Sequence, residues 1–202
     1  ESALERELAR IKGNTISGNS GSGIFTSSSS VQITNNTLSN NGDSPIFTYA
    51  DNVSGIRDNS GSGNGQDVIR IWGDVTSDST WSPATNAFPL LITTWVTIAS
   101  LEPNTPPPTL TLEPGLVLRF QGQGGIRVGY NASSTGALIA HGVTFTSSAT
   151  APQPGNWQGL KFVATPADHE NLLDQCVVEY SSGITIGFRS RVAITNSTIS
   201  HS

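Results

Sequence analysis

The sequence predicts an all-β solenoid, one elongated coil of short parallel strands, and three observations carry that prediction. A phrase recurs near the start: Ile11-Lys-Gly-Asn14-Thr-Ile16-Ser, then Ile33-Thr-Asn-Asn36-Thr-Leu38-Ser, then Ile56-Arg-Asp-Asn59-Ser. Its Asn residues lie 22 and then 23 residues apart, and Ile24-Phe25 and Ile46-Phe47 keep the same 22-residue step. Between the phrases, apolar residues alternate with polar ones and are bounded by Asn, Gly and Ser clusters, as in half-buried strands. A period of this length describes a turn that buries its apolar face only by stacking on its neighbours.

Each segment follows from that ruler. Residues 1–10 differ from the rest, with charged residues around Ala3, Leu4 and Leu8 at helical spacing, and predict a short capping helix over the first turn. Residues 11–72 hold the first three coils. Asn14, Asn36 and Asn59 are expected to form an inward ladder, because Asn bonds backbone groups one turn away and tolerates left-handed angles. Residues 73–108 break the period with Trp81-Ser-Pro, Phe88-Pro and Pro106-Pro-Pro, which predicts a lateral loop and a restart.

Residues 109–202 resume the alternation, at Thr109 to Phe120, Gly125 to Val128, Ala137 to Phe145, Trp157 to Phe162, Leu172 to Tyr180, Gly183 to Ile186 and Val192 to Ile199. At the observed period the chain makes about nine rungs. The closing Thr195-Asn-Ser-Thr-Ile-Ser is again the ladder phrase, so the coil stops inside a rung without a visible cap. A longer array, or end-to-end self-association with another copy, is expected to cover it.

The phrases Leu110-Thr-Leu-Glu-Pro-Gly-Leu-Val-Leu-Arg-Phe120, Gly142-Val-Thr-Phe-Thr-Ser147, Trp157-Gln-Gly-Leu-Lys-Phe162 and Cys176-Val-Val-Glu-Tyr180, following Thr80-Trp81, resemble the recurring module of bacterial right-handed parallel β-helix repeat proteins. The resemblance covers nearly everything after Arg10. It implies a right-handed, single-stranded parallel β-helix of pectin-lyase-like fold. It implies no one activity, because that family includes polysaccharide lyases, hydrolases and epimerases, phage tailspikes and surface proteins with no assigned reaction.

Composition narrows the partners. The 202 residues carry a net charge of −5, with 10 basic against 15 acidic residues and no basic stripe, which argues against nucleic-acid binding. The longest apolar run, Phe88 to Ile92, contains Pro89 and falls short of a membrane span. One cysteine and no methionine suit an exported bacterial protein, secreted or at the cell surface, although a missing disulfide is equally compatible with cytoplasm.

Aligning the early coils on Ile24, Ile46 and Ile69 puts Phe25, Phe47 and Arg70 in one column and Ser27, Tyr49 and Trp72 in another, with Asp51 and Asp74 at adjacent heights. If the isoleucines point inward, these columns form an outward aromatic strip edged by charges, unless segment 73–108 with Trp81, Phe88 and Trp95 packs over it. Aromatic faces with polar flanks suit a sugar ring, so Phe47, Tyr49, Trp72 and Trp81 are the expected carbohydrate contacts.

An alternative is a polysaccharide lyase, hydrolase or epimerase using Asp51 and Asp74 with Arg70, although turn roles for these carboxylates are commoner. His141, His169 and His201 have no partner at metal-ligand spacing, and no cofactor or metal is implied. Cys176 alternates with Leu172 and Val178 on the apolar side and is expected to be a buried small hydrophobe rather than a nucleophile. The leading expectation is a non-catalytic scaffold, adhesin or carbohydrate-binding surface.

Overall fold

In a computed structural model, residues 9–27, 30–83, 85–102 and 105–202 are described. They build a parallel β-solenoid of about eight turns. The first coil carries β1 (Ala9–Lys12), β2 (Thr15–Ser17) and β3 (Ile24–Phe25), and the second β4 (Val31–Thr34), β5 (Thr37–Ser39) and β6 (Ile46–Tyr49). A 3-10 turn, Ala50–Gly55, leads into β7 (Ile56–Arg57), Ser60 bridges back to Thr37, and β8 (Ile69–Val75) closes the third coil. The fourth holds β9 (Ser79–Trp81) and β10 (Leu90–Ile98).

Two three-stranded coils come next: β11 (Thr109–Leu112), β12 (Val117–Phe120) and β13 (Gly125–Val128), then β14 (Ala137–His141), β15 (Thr144–Ser147) and β16 (Leu160–Ala164). They are followed by β17 (Asn171–Asp174), β18 (Val177–Glu179) and β19 (Ile184–Arg189), and finally by β20 (Val192–Thr195) and β21 (Thr198–Ser200).

Alternation decides the interior. In β4 and β6 the buried positions are Val31, Ile33, Ile46 and Thr48, while Gln32, Phe47 and Tyr49 point outward. Ile33, Leu38, Ile46, Ile69, Ile71 and Ile92 are fully buried and stack coil upon coil, each contributing about 1.5–3 kcal/mol. The later coils fill the same space with rings: Phe120 stacks on Trp157 at 4.1 Å between centroids and on Phe145 at 6.4 Å.

The Asn ladder is present and longer than the phrase suggests. Asn14, Asn36, Asn59 and Asn86 pass side-chain amide bonds from coil to coil at 3.0 Å each. A second ladder runs Asn19, Asn41, Asn64 and ends on Asp67. The left-handed backbone lies one residue earlier than expected, at Gly13, Asn35 and Asp58. That residue turns the chain and the next one points its amide inward. In the later coils the same geometry recurs at Gln175 and Asn196, but Cys176 and Ser197 take the inward position. The thiol of Cys176 faces the carbonyls of Ala140 and Asp174, where an N-terminal coil would place an Asn amide.

Several expectations are corrected. The predicted helix over residues 1–10 lies mostly outside the described residues, and its last two, Ala9 and Arg10, belong to strand β1. The supposed lateral loop 73–108 supplies the end of β8 and all of β9 and β10, because Asn86 docks under Asn59 and resumes the ladder after 27 residues rather than 23. Coils that then take 31, 28 and 33 residues per turn reduce nine rungs to about eight. Leu173, not Leu172, shares the core with Cys176 and Val178, since the left-handed Gln175 resets the alternation between β17 and β18.

Candidate aromatic binding face

The candidate site lies on the outer surface of β3, β6, β8 and β10, adjacent members of an 11-stranded sheet. Ile24 pairs with Ile46 and Ile46 with Ile69, which sets Phe25, Phe47 and Arg70 in one outward row and Tyr49 beside Trp72 in the next. The ruler read from the sequence therefore places this row correctly. Phe25 is 59% exposed, and Phe47, Tyr49, Trp72 and Arg70 are half-buried.

The rings pack against one another. Phe25 and Trp72 are nearly parallel, 9° apart with centroids at 6.3 Å, Phe47 lies 5.3 Å from Phe25, and Tyr49 meets Trp72 edge-on at 5.2 Å. Gly73, at φ +81°, is the floor for Tyr49: a Cβ there would fall 2.0 Å from the ring. Two large side chains of segment 73–108, Trp81 and Phe88, do not lie over the strip. They turn into the core instead, at 0% and 1% exposure, so Trp81 cannot be the surface contact that the sequence suggested. Its parity in β9 points it inward, and its indole N–H has no hydrogen-bond partner.

Charges edge the rings. Arg70 donates from Nη1 to Asp43 Oδ2 at 2.6 Å and lies 4.4 Å over the Phe47 ring. Tyr49 donates its hydroxyl to Asp74 Oδ2 at 3.2 Å. Burial first, and then the Asp74 charge, push the Tyr49 phenol above its ordinary value. Asp51 accepts from the Thr76 amide at 2.8 Å and from the Thr76 hydroxyl, fixing the turn after β8. Asp51, Asp74 and Arg70, the trio of the catalytic alternative, thus all hold neighbouring side chains or backbone.

The histidines sit far from this face. His141 lies 3.6 Å from Asp174 and His169 2.8 Å from Asp168, and His201 stacks on Tyr180. Among the described residues no three His, Cys, Asp or Glu side chains cluster as a metal site. Burial raises the Cys176 thiol pKa, which suits an inert core residue. No helix is long and apolar enough to cross a membrane.

The sequence reading missed Trp95 as a surface residue. Trp95 pairs with Gly125 and repeats the Tyr49 device: its ring lies over that glycine, where a Cβ would fall 2.7 Å from Cζ3. The signal was the Gly125 alignment one coil later, hidden because the period was broken at residue 73.

No curated protein and no solved structure matches the chain. Residues 3–80 match the family model described as right handed beta helix region, and the parallel coils that continue through Ser200 carry the same β-solenoid architecture over the rest of the described chain.

Proposed function

We propose that the protein is a non-catalytic β-helix module, secreted or displayed at a bacterial cell surface, that holds a polysaccharide across its coils on the face of Phe25, Phe47, Tyr49 and Trp72. One observation carries the reading: four aromatic side chains from three successive coils share one outward surface, and one of them is more than half exposed. Such a surface offers planar apolar faces for sugar C–H groups, while Asp43, Asp74 and Arg70 at its edge offer acceptors and donors for hydroxyls. The carboxylates and the arginine already serve structural hydrogen bonds, which favours binding over turnover.

The test is retention on a panel of immobilised glycans, with the eluate assayed for new reducing ends and unsaturated products. Retention without product, lost on Trp72→Ala, is the expected result. Product formation that disappears on Asp74→Asn would sink the non-catalytic reading in favour of a lyase or hydrolase.

A further inference from the structure

The sheet that bears the aromatic strip continues past it into a cationic segment. Thr97 of β10 pairs with Asp74 on one side and Arg127 on the other, and Arg127 pairs with Lys161 of β16. The two cations stand on adjacent coils, about 4.8 Å apart along the coil axis. The ion pairs among the described residues involve neither of them.

Arg127 is the unusual member. Its guanidinium lies 5.0 Å from the Trp95 ring and 5.3 Å from the Tyr130 ring, so two aromatics fix its plane. Its Nε is closed off from solvent with no hydrogen-bond partner, and among the described residues its side chain forms no hydrogen bond. A guanidinium ordinarily spends its donors on carboxylates or carbonyls. Here the fork is oriented by packing with its Nη donors unspent, beside a second cation whose repulsion an oxyanion would relieve. Planar, bidentate recognition of a carboxylate is the chemistry that such a fork favours.

The charge pattern along the face selects the class of ligand. Asp43, Asp51 and Asp74 surround the rings at one end, where a uniform polyanion would be repelled, and Arg127 and Lys161 lie at the other. We propose that the face binds a mixed glycan, with neutral sugar residues over Phe25 to Trp72 and one acidic residue whose carboxylate docks on Arg127 and Lys161. The proposal rests on the aromatic binding reading, which supplies the neutral half.

Calorimetric titrations of the whole chain with xylohexaose, with the same oligosaccharide carrying one glucuronic acid side group, and with polygalacturonate test it, together with the Arg Nε–Hε NMR signals under methyl glucuronide. The singly acidic oligosaccharide is expected to bind about tenfold tighter than the neutral one, the worth of a charge-assisted bidentate contact. That ratio should fall toward one in Arg127→Gln and in the exposed-site variant Lys161→Gln, and methyl glucuronide should move the Arg127 signal. Equal binding of the neutral and acidic oligosaccharides overturns the acidic subsite and leaves the aromatic reading standing. Tighter binding of polygalacturonate overturns the mixed pattern. A shifted Arg127 signal with no oligosaccharide binding supports the anion site and overturns the aromatic half, and a motionless signal with no binding overturns both.

Discussion

Removing one ladder amide should cost far more than removing any exposed polar side chain of the same coil. Asn36 is 1% exposed and makes five side-chain hydrogen bonds. Its Oδ1 accepts from the Asn14 backbone N–H and side-chain amide, both at 3.0 Å, and its Nδ2 donates to the carbonyls of Ile11 and Thr34 and to Asn59 Oδ1. Asn36→Ala leaves the Asn14 N–H and two carbonyls without these partners. An unsatisfied buried group costs about 1–3 kcal/mol, and water reaches the half-open first coil, so the loss should be about 3–5 kcal/mol. For a chain of this size that lowers the unfolding midpoint by roughly 10 °C.

The assay is thermal unfolding followed by tryptophan fluorescence, with hydrogen exchange at the Thr37 and Leu38 amides to localise the damage. Gln32→Ala, on the exposed side of β4, is the control and should stay within about 0.5 kcal/mol of the parent. Asn59→Ala removes the same number of side-chain bonds one coil further from the open N-terminal end and should cost at least as much as Asn36→Ala. Asn36→Asp adds a pH signature: an ionised carboxylate would face the Ile11 and Thr34 carbonyls, so folding raises its pKa. The variant is then least destabilised below the unfolded carboxylate value of about 3.9 and loses stability as pH rises through the higher folded value. If Asn36→Ala and Gln32→Ala behave alike, the ladder does not hold the coils together and the reasoning is refuted.

Two further outcomes follow from the later coils. Cys176→Ser should cost less than about 1 kcal/mol in chemical unfolding, because Ser197 already makes the equivalent contacts one coil on, to the Leu173 and Thr195 carbonyls. A larger loss would mean that the thiol's apolar volume matters more than its turn contacts. Trp157→Phe should cost about 1–2 kcal/mol more than Trp81→Phe in the same measurement, since the Trp157 indole donates to the Glu179 carbonyl at 2.9 Å and the Trp81 indole donates to nothing. Equal costs would point to an unseen partner for Trp81.

The coil and its ladder were legible in the sequence because both depend on short-range regularity. Strand alternation needs only apolar residues at every second position, and a ladder needs one Asn per turn, so Ile33, Asn36, Ile46 and Asn59 announce their places. The segment after Val75 was misread because its prolines and tryptophans obscure a step of 27 residues in which Asn86 still docks under Asn59. Trp81 was misplaced for the same reason: only the pairing of β9 with β11, set by contacts across 31 residues, tells which side of the strand faces in. Spacing alone likewise could not show that Asp51 and Asp74 are occupied, because their partners Thr76 and Tyr49 lie 25 residues away in the chain.

The fourth coil explains why the aromatic face sits where it does. The first half of β10, Leu90 to Ile92, pairs with β12, and the second half, Trp95 to Ile98, pairs with β13, with an irregularity opposite β8 between Ile92 and Val96. One long strand therefore joins β3, β6 and β8 to the two rows of strands that branch from it within the same sheet, β12–β15–β18–β21 and β13–β16–β19. Strands β8 and β10, at seven and nine residues, are the longest in the solenoid, and their outward rows are held on both edges by neighbouring coils. Side chains on such strands are fixed more firmly than side chains on loops, which is what preorganised recognition requires. Trp95 occupies the joint itself, lying over Gly125 and under the guanidinium of Arg127, in the strand next to Trp72. The ring that orients the first cation thus stands on the strand beside Trp72, between the two halves of the proposed binding face. Displacing it with Gly125→Ala should weaken both together.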